Sequence, residues 1–177
     1  MVASRVPSGS LTWTTPLRRK NSEVAGSAVA MIRCAVAGDV DVLRAIAAAA
    51  YQKYVPRIGR EPAPMTADYA QAVRDQQAWA AIENGGIAGF AILIPQPGYL
   101  LLGNVAVLPA AQGRGIGTRL LVLAEDHARS LGRSEIRLYT NEAMTENLTY
   151  YLRRGYAETH RAEQDGFHRV FFRKPIN

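Results

Sequence analysis

The chain has 177 residues, 48% of them hydrophobic and 20% charged, which is the size and composition of one globular domain with an ordinary core. Its formal net charge of +6 favours anionic ligands, although Arg5, Arg18, Arg19 and Lys20 against Glu23 place +3 of it in the first 30 residues. No apolar run reaches the roughly 18 residues of a bilayer span, and the single cysteine, Cys34, excludes an internal disulfide and suits a reducing, cytoplasmic setting.

Residues 1–29 are rich in Ser, Thr, Gly and Pro and show no apolar periodicity, so they read as a flexible N-terminal tail or an upstream-start extension. They lack the apolar core of a secretory signal, and the folded domain is placed over 30–177. A strand is predicted over 31–36, with Cys34 read as a buried thiol in it rather than a nucleophile. A helix follows from the N-cap residue Asp39 to Tyr54, with Val42, Ile46 and Ala49 as its apolar face. Pro56, Pro62 and Pro64 make 55–65 a loop, and a short helix runs from Thr66 or Asp68 to Asp75.

Two strands then meet at Asn84-Gly85, the strongest short hairpin signal. A strand over 99–108 leads into a helix over 115–131, with Ile116, Leu120, Leu123, Ala124 and Leu131 at helical spacing and Gly132 as its terminator. A strand over 135–140, a helix over Met144–Arg153 ending at Gly155, and a hairpin joining 156–162 to 168–173 complete the chain. This order implies an α/β layer architecture with a mixed sheet.

The segment "QGRGIG" (112–117) sits between the fourth strand and the long helix. Its spacing and position do not match a dinucleotide fingerprint, and it lacks the Gly-Lys-Ser/Thr of a P-loop. It can be a flexible turn. It can also be an anion cradle, in which free amides of the loop and first helical turn converge on a pyrophosphate, with the helix dipole behind them and Arg114 beside them.

The stretch "NVAVLPAAQGRGIGTRLL" (104–121) resembles the acetyl-CoA-binding motif of the GNAT superfamily of N-acetyltransferases, with Gln112, Gly115 and Gly117 at its key positions. The likeness continues through "LYTNEAMTENLTYYLRRGY" (138–156), which is similar to the family's Asn-x-x-x-Tyr-x-x-x-Gly-aromatic helix. It covers nearly the whole domain and implies a single-domain, mostly antiparallel twisted sheet flanked by helices. It implies acetyl-CoA as cofactor, with coenzyme A as product. Backbone groups of Val105, Ala106 and Val107, on a strand that typically bulges at Val105 and Val107, would face the acetyl group and pantetheine arm. The loop Gln112, Gly113, Arg114, Gly115, Ile116, Gly117 and Thr118 would hold the pyrophosphate, Asn147 would bond the cofactor arm, and Tyr151 would protonate the leaving thiolate.

Amide formation from a thioester needs a neutral amine, a polarised carbonyl, geometry and a proton for sulfur. An amide at Val107 can stabilise the developing oxyanion. Tyr151 is the expected general acid, against a packing role on an amphipathic helix, and its neighbour Tyr150 is expected to face the core. Asn104 cannot take a proton, so the base is sought in Glu142 or Glu83, or in a chain of waters. His127, His160 and His168 show no metal-ligand spacing, and no metal is expected. Tyr51, Tyr54, Arg57, Arg60 and Tyr69 surround the proline loop and can shape an acceptor pocket, or belong to a stiff surface connection.

The expected activity is therefore acetyl transfer from acetyl-CoA to a primary amine by direct attack in a ternary complex. A non-catalytic acyl-CoA sensor is the alternative from another class, and an acetyltransferase acting on charged tRNA or a ribosomal protein is a third reading. The expected partner is a small-molecule amine or a peptide or protein amine. No membrane or nucleic-acid partner is expected, and a homodimer is an option.

Overall fold

Alternating small and branched apolar residues build the centre of the fold. In the computed structural model, which describes residues 31–176, they form strands buried on both faces. The expected tail, 1–29, lies outside the described residues. The strands are β1 (Met31–Cys34), β2 (Ala78–Glu83), β3 (Gly86–Pro95), β4 (Tyr99–Val107), β5 (Glu135–Asn141), β6 (Ala157–Gln164) and β7 (Phe167–Pro175). Among the described residues they form one seven-stranded sheet in the order β1-β2-β3-β4-β5-β7-β6. Every neighbouring pair is antiparallel except β4 and β5. The β2–β3 turn places Asn84 (φ 51°) and Gly85 (φ 79°) in the left-handed region, as a two-residue hairpin of this type demands.

Helices α1 (Val40–Tyr51), α2 (Val55–Ile58) and α3 (Tyr69–Arg74) cover one face of the sheet, and α4 (Ile116–Ser130) covers the other. A fifth helix, α5 (Thr145–Leu152), follows β5. The buried stripe of α1 is Leu43, Ile46, Ala47, Ala50 and Tyr51, so of the predicted Val42–Ile46–Ala49 face only Ile46 is buried. Val42 is 41% exposed, so the true phase is one residue later. The helix also ends at Tyr51 and continues as a 3₁₀ turn over Gln52–Tyr54. Residues 55–65 are not wholly irregular, because Pro56 and Pro64 occupy first-turn positions of α2 and of a 3₁₀ turn (Ala63–Met65), where no amide donor is needed. On α4 the buried residues are Ile116, Leu120, Leu121, Ala124 and Ala128, whereas Leu131 is exposed at the helix end.

Asp39 stands at the start of α1, but its carboxylate turns back rather than capping the helix. It accepts from Val36 N at 2.8 Å and from both Arg33 Nη atoms, at 2.7 and 3.1 Å, which fastens α1 to β1. Asp68 does cap α3, accepting from Gln71 N at 2.9 Å.

Two features of β4 shape everything that follows. Its pairing with β3 skips a residue, so that Ile92 opposes Asn104 while Leu93 opposes Leu102, and Gly103 is the bulged residue. The bulge thus falls two residues before Val105, where a glycine tolerates the local kink, and not at Val105 and Val107. It also inverts the side-chain alternation. Leu100 and Leu102 pack with α4, whereas Asn104 and Ala106 face α1 and α3. Secondly, β5 pairs with β4 only over Tyr99–Leu101 and Glu135–Arg137, so the strands part beyond Leu101 and leave a notch.

Candidate active site

The open edge of β4 carries unpaired backbone. Leu108 N donates to Ala88 O at 2.8 Å, and hydrogen-bonded pairs alternate along an antiparallel ladder. Val105 and Val107 therefore turn their N–H and C=O groups away from β3, towards the notch that β5 vacates. Their carbonyls accept from side chains instead. Tyr51 Oη lies 3.1 Å from Val105 O, and Gln112 Nε2 donates to Val107 O at 3.1 Å.

The loop 112–117 closes one end of this notch. Gly113 and Gly115 hold φ of 80° and 83°, a left-handed geometry that favours glycine. Gly117 is needed for space, since a Cβ there would lie 2.8 Å from the Tyr150 hydroxyl. The first amide to close onto α4 is Arg119 N, which donates to Gly115 O at 3.1 Å, and the amides before it have no partner within the helix. A cleft open to solvent runs along loop, strand and α5. Gln112, Gly113, Gly115, Ile116, Gly117, Thr118, Val105, Ala106, Val107 and Asn147 all line it.

Arg114 does not. Its guanidinium donates to Glu83 Oε2 at 3.0 Å, leaving its backbone amide as what it can offer in the loop. The cations that line the cleft are Lys53 and Arg154. Arg154 stacks 3.5 Å from the Tyr150 ring centroid and donates to Thr118 Oγ1 at 2.8 Å, while its buried Nε has no partner among the described residues. Tyr150 thus lines the cleft as well as packing against the core, the role expected from the sequence. Nothing in the period of α5 distinguishes these roles, because adjacent tyrosines both reach the sheet at the open notch. Open amides, a cation pair and an orphaned guanidinium N–H fit a pyrophosphate.

A second, smaller cavity lies beyond the cleft. Tyr51, Val105, Asn147 and Tyr151 line both spaces, so the two meet at these residues. The Tyr151 ring packs on Tyr156 and Phe172 at 5.6 and 5.9 Å, and its hydroxyl makes no hydrogen bond among the described residues. Burial, reinforced by neighbouring tyrosines, raises its pKa above the ordinary phenol value. Asn147 Nδ2 donates to Thr140 Oγ1 at 3.3 Å.

Tyr51 and Asn104 were not predicted as a pair, yet they organise the cavity wall. Tyr51 donates to Asn104 Oδ1 at 2.6 Å, Asn104 Nδ2 donates to Tyr69 Oη at 2.9 Å, and Tyr69 donates to Pro64 O at 2.7 Å. This chain fixes the proline segment over the cavity. Arg57 adds a fork onto Glu146 at 2.9 and 3.0 Å, and Arg60 stacks 4.1 Å from the Phe167 ring.

The structure does not bring the expected bases to either space. Glu142 is exposed and lines neither, and Glu83 is held by Arg114. His127 packs edge-on against Trp79 at 5.4 Å, His160 stacks on Phe171 at 4.3 Å, and His168 is exposed. Cys34 is half-buried at the end of β1, apart from both cavities. Among the described residues no three His, Cys, Asp or Glu side chains gather as a metal site requires, and no helix is long and apolar enough to cross a membrane.

Residues 40–156 match the model of the acetyltransferase (GNAT) family. The chain is 39% identical over 57 residues to an aminoalkylphosphonate N-acetyltransferase of Salmonella typhimurium, a match covering 32% of this chain and 37% of that relative, so well under half of the relative's length is spanned. A solved structure of the PaiA N-acetyltransferase from Thermoplasma acidophilum in complex with coenzyme A superposes with a TM-score of 0.71 at 19% identity, over 82% of this chain and 98% of that one. The ribosomal-protein-S18-alanine N-acetyltransferase from Escherichia coli superposes with a TM-score of 0.66 at 21% identity, over 83% and 94%. At these identities the likeness to the solved structures concerns the fold.

Proposed function

Because this chain belongs to the GNAT acetyltransferase family, we propose that it transfers an acetyl group from acetyl-CoA to a primary amine by direct attack, with both substrates held at once. One observation carries the reading: a cleft suited to a pyrophosphate and a separate cavity meet on Tyr51, Val105, Asn147 and Tyr151. Two spaces sharing one wall are what a ternary complex needs, since positioning both reactants makes the attack effectively unimolecular. The coenzyme A complex of the PaiA relative supports the assignment of the cleft.

Acetyl-CoA supplies an activated acyl carbon and a thiol leaving group. The free amides of 113–118 hold the phosphates with Lys53 and Arg154, and Asn147 bonds the pantetheine arm. The Val107 N–H, turned away from β3, would stabilise the charge that grows on the acyl oxygen. Tyr151 gives its proton to the departing sulfur as the C–N bond forms and the C–S bond breaks. The amine nitrogen loses one proton in the same turnover. Among the described residues no carboxylate or histidine lines the acceptor cavity, so water takes that proton and the amine reacts in its neutral form. Glu142, exposed and outside both spaces, is not assigned the base. The strapped proline segment favours a small amine over a folded protein, in line with the aminoalkylphosphonate-acetylating relative.

The test is thiol release from acetyl-CoA against a panel of amines, amino acids and peptides. Release that depends on acceptor supports the transferase. Tight acetyl-CoA binding with no release for any acceptor would point to an acyl-CoA-binding module instead.

A further inference from the structure

Resting on the transferase reading, we propose that Arg169 is a specificity residue that holds an anionic group on the acceptor, so that the substrate is an amine bearing a carboxylate or phosphonate. Arg169 is the one charged side chain among the described residues lining the acceptor cavity. It is on β7 and 7% exposed. Its guanidinium stacks 4.3 Å from the Tyr139 ring centroid, with Phe167 at 6.0 Å, which holds the planar fork in one orientation.

The cation is only partly satisfied. Nη1 donates to Gln164 Oε1 at 2.9 Å and Nη2 to Asp165 Oδ2 at 3.0 Å, whereas a guanidinium has five N–H donors. Its carboxylate partner lies in the β6–β7 turn and is 69% exposed, so water competes for that pair. A buried cation with a solvated counterion leaves a positive wall inside the cavity. A simple alkylammonium is repelled by it, and a planar carboxylate or a phosphonate is matched by it.

The spacing also suits a short acceptor. Arg169 pairs in register with Asn141, and the preceding residue, Thr140, accepts from Asn147 at the junction with the cofactor cleft. One stretch of β5 therefore links the anion subsite to the reacting centre.

The experiment compares acceptors with the same amine and different ends: β-alanine, 2-aminoethylphosphonate and propylamine, each with saturating acetyl-CoA. Each anionic acceptor is expected to exceed propylamine in kcat/KM by about tenfold or more. The better of the two identifies the anion. Arg169→Met should collapse that ratio towards one, with acetyl-CoA binding used to show that the variant is folded, and Arg169→Lys should keep part of it. Asp165→Asn, which tolerates the left-handed φ of 55° at that turn, removes the counter-charge and should lower KM for the anionic acceptors a few-fold. A ratio near one in the wild type, or a ratio that survives Arg169→Met, overturns the inference while leaving the transferase intact. Calorimetric titration of 2-aminoethylphosphonate into the coenzyme A-loaded protein reads the same site without turnover. No binding, or equal binding by the wild type and Arg169→Met, sinks the proposal, whereas absence of acetyl-CoA binding sinks the transferase reading beneath it.

Discussion

Tyr151 lines both spaces, and its hydroxyl has no hydrogen-bond partner among the described residues, which leaves it free for the proposed role of proton donor to the leaving sulfur. Burial is the main reason its pKa is raised, so the phenol stays protonated as pH climbs past the ordinary value of about 10. An acid must hold its proton to act, and the wild-type kcat is therefore expected to show no descending limb up to about pH 10. Tyr151→Phe should lower kcat by about a hundredfold or more. Acetyl-CoA affinity should stay nearly unchanged, because the ring keeps its contacts with Tyr156 and Phe172. A purely packing tyrosine would give the reverse pattern, with a lower melting temperature and intact turnover.

At the level of elements, the loop at the mouth of α4 owes its shape to different properties of neighbouring glycines. Gly113 and Gly115 set the backbone, and Gly117 makes room. Gly117→Ala would bring a Cβ to 2.8 Å from the Tyr150 hydroxyl, and Tyr150 is itself held by the Arg154 stack. We expect acetyl-CoA to bind this variant roughly fivefold to tenfold more weakly, a change of about 1 kcal/mol. Adding Tyr150→Phe removes the clashing oxygen and should restore much of the affinity in a titration. The β1–α1 junction makes a separate prediction. Hydrogen bonding from Arg33 holds the Asp39 carboxyl below its usual range. A depressed carboxylate contributes stability above its unfolded pKa of about 4, and loses it as pH falls through the folded value. Asp39→Asn should therefore cost about 1 kcal/mol at pH 7, with screening at the partly exposed Arg33 taken into account. The loss relative to wild type should shrink below pH 4 in chemical denaturation.

For the whole molecule, the sheet consists of two halves joined across a short parallel contact between β4 and β5. The cleft lies at their division, walled by β4, the glycine loop and α5. A ligand there ties both halves and binds only the folded chain. At a hundredfold excess over Kd, acetyl-CoA should stabilise by about 2.7 kcal/mol, which corresponds to a rise of roughly 5–10 °C in Tm. Calorimetry with and without the ligand checks this. An unchanged Tm at saturation would remove the cleft from consideration as the cofactor site.

Element order was legible from residues alone because periodicity and turn chemistry are local. Asn84-Gly85 and Gly132 mark turns wherever they stand, and the family motifs around 112–117 and 147–156 identified the cleft's two walls. The phase of α1 was not legible, since Val42 and Leu43 are both apolar and only the sheet beneath selects Leu43. The Gly103 bulge could have been suspected from a lone glycine in a strand, but its consequence, Asn104 turned towards Tyr51 and Tyr69, needs α1 and α3 in place. The Arg114 side chain, expected beside the cofactor phosphates, pairs at 3.0 Å with Glu83, 31 positions earlier, a partner that no local pattern reveals. By itself the sequence determined the fold class and a glycine loop at the mouth of α4. Only the tertiary structure decided which cations line the cleft beside that loop and that Arg169 lines the second cavity, because those contacts join residues distant in the chain across a notch that no local pattern encodes.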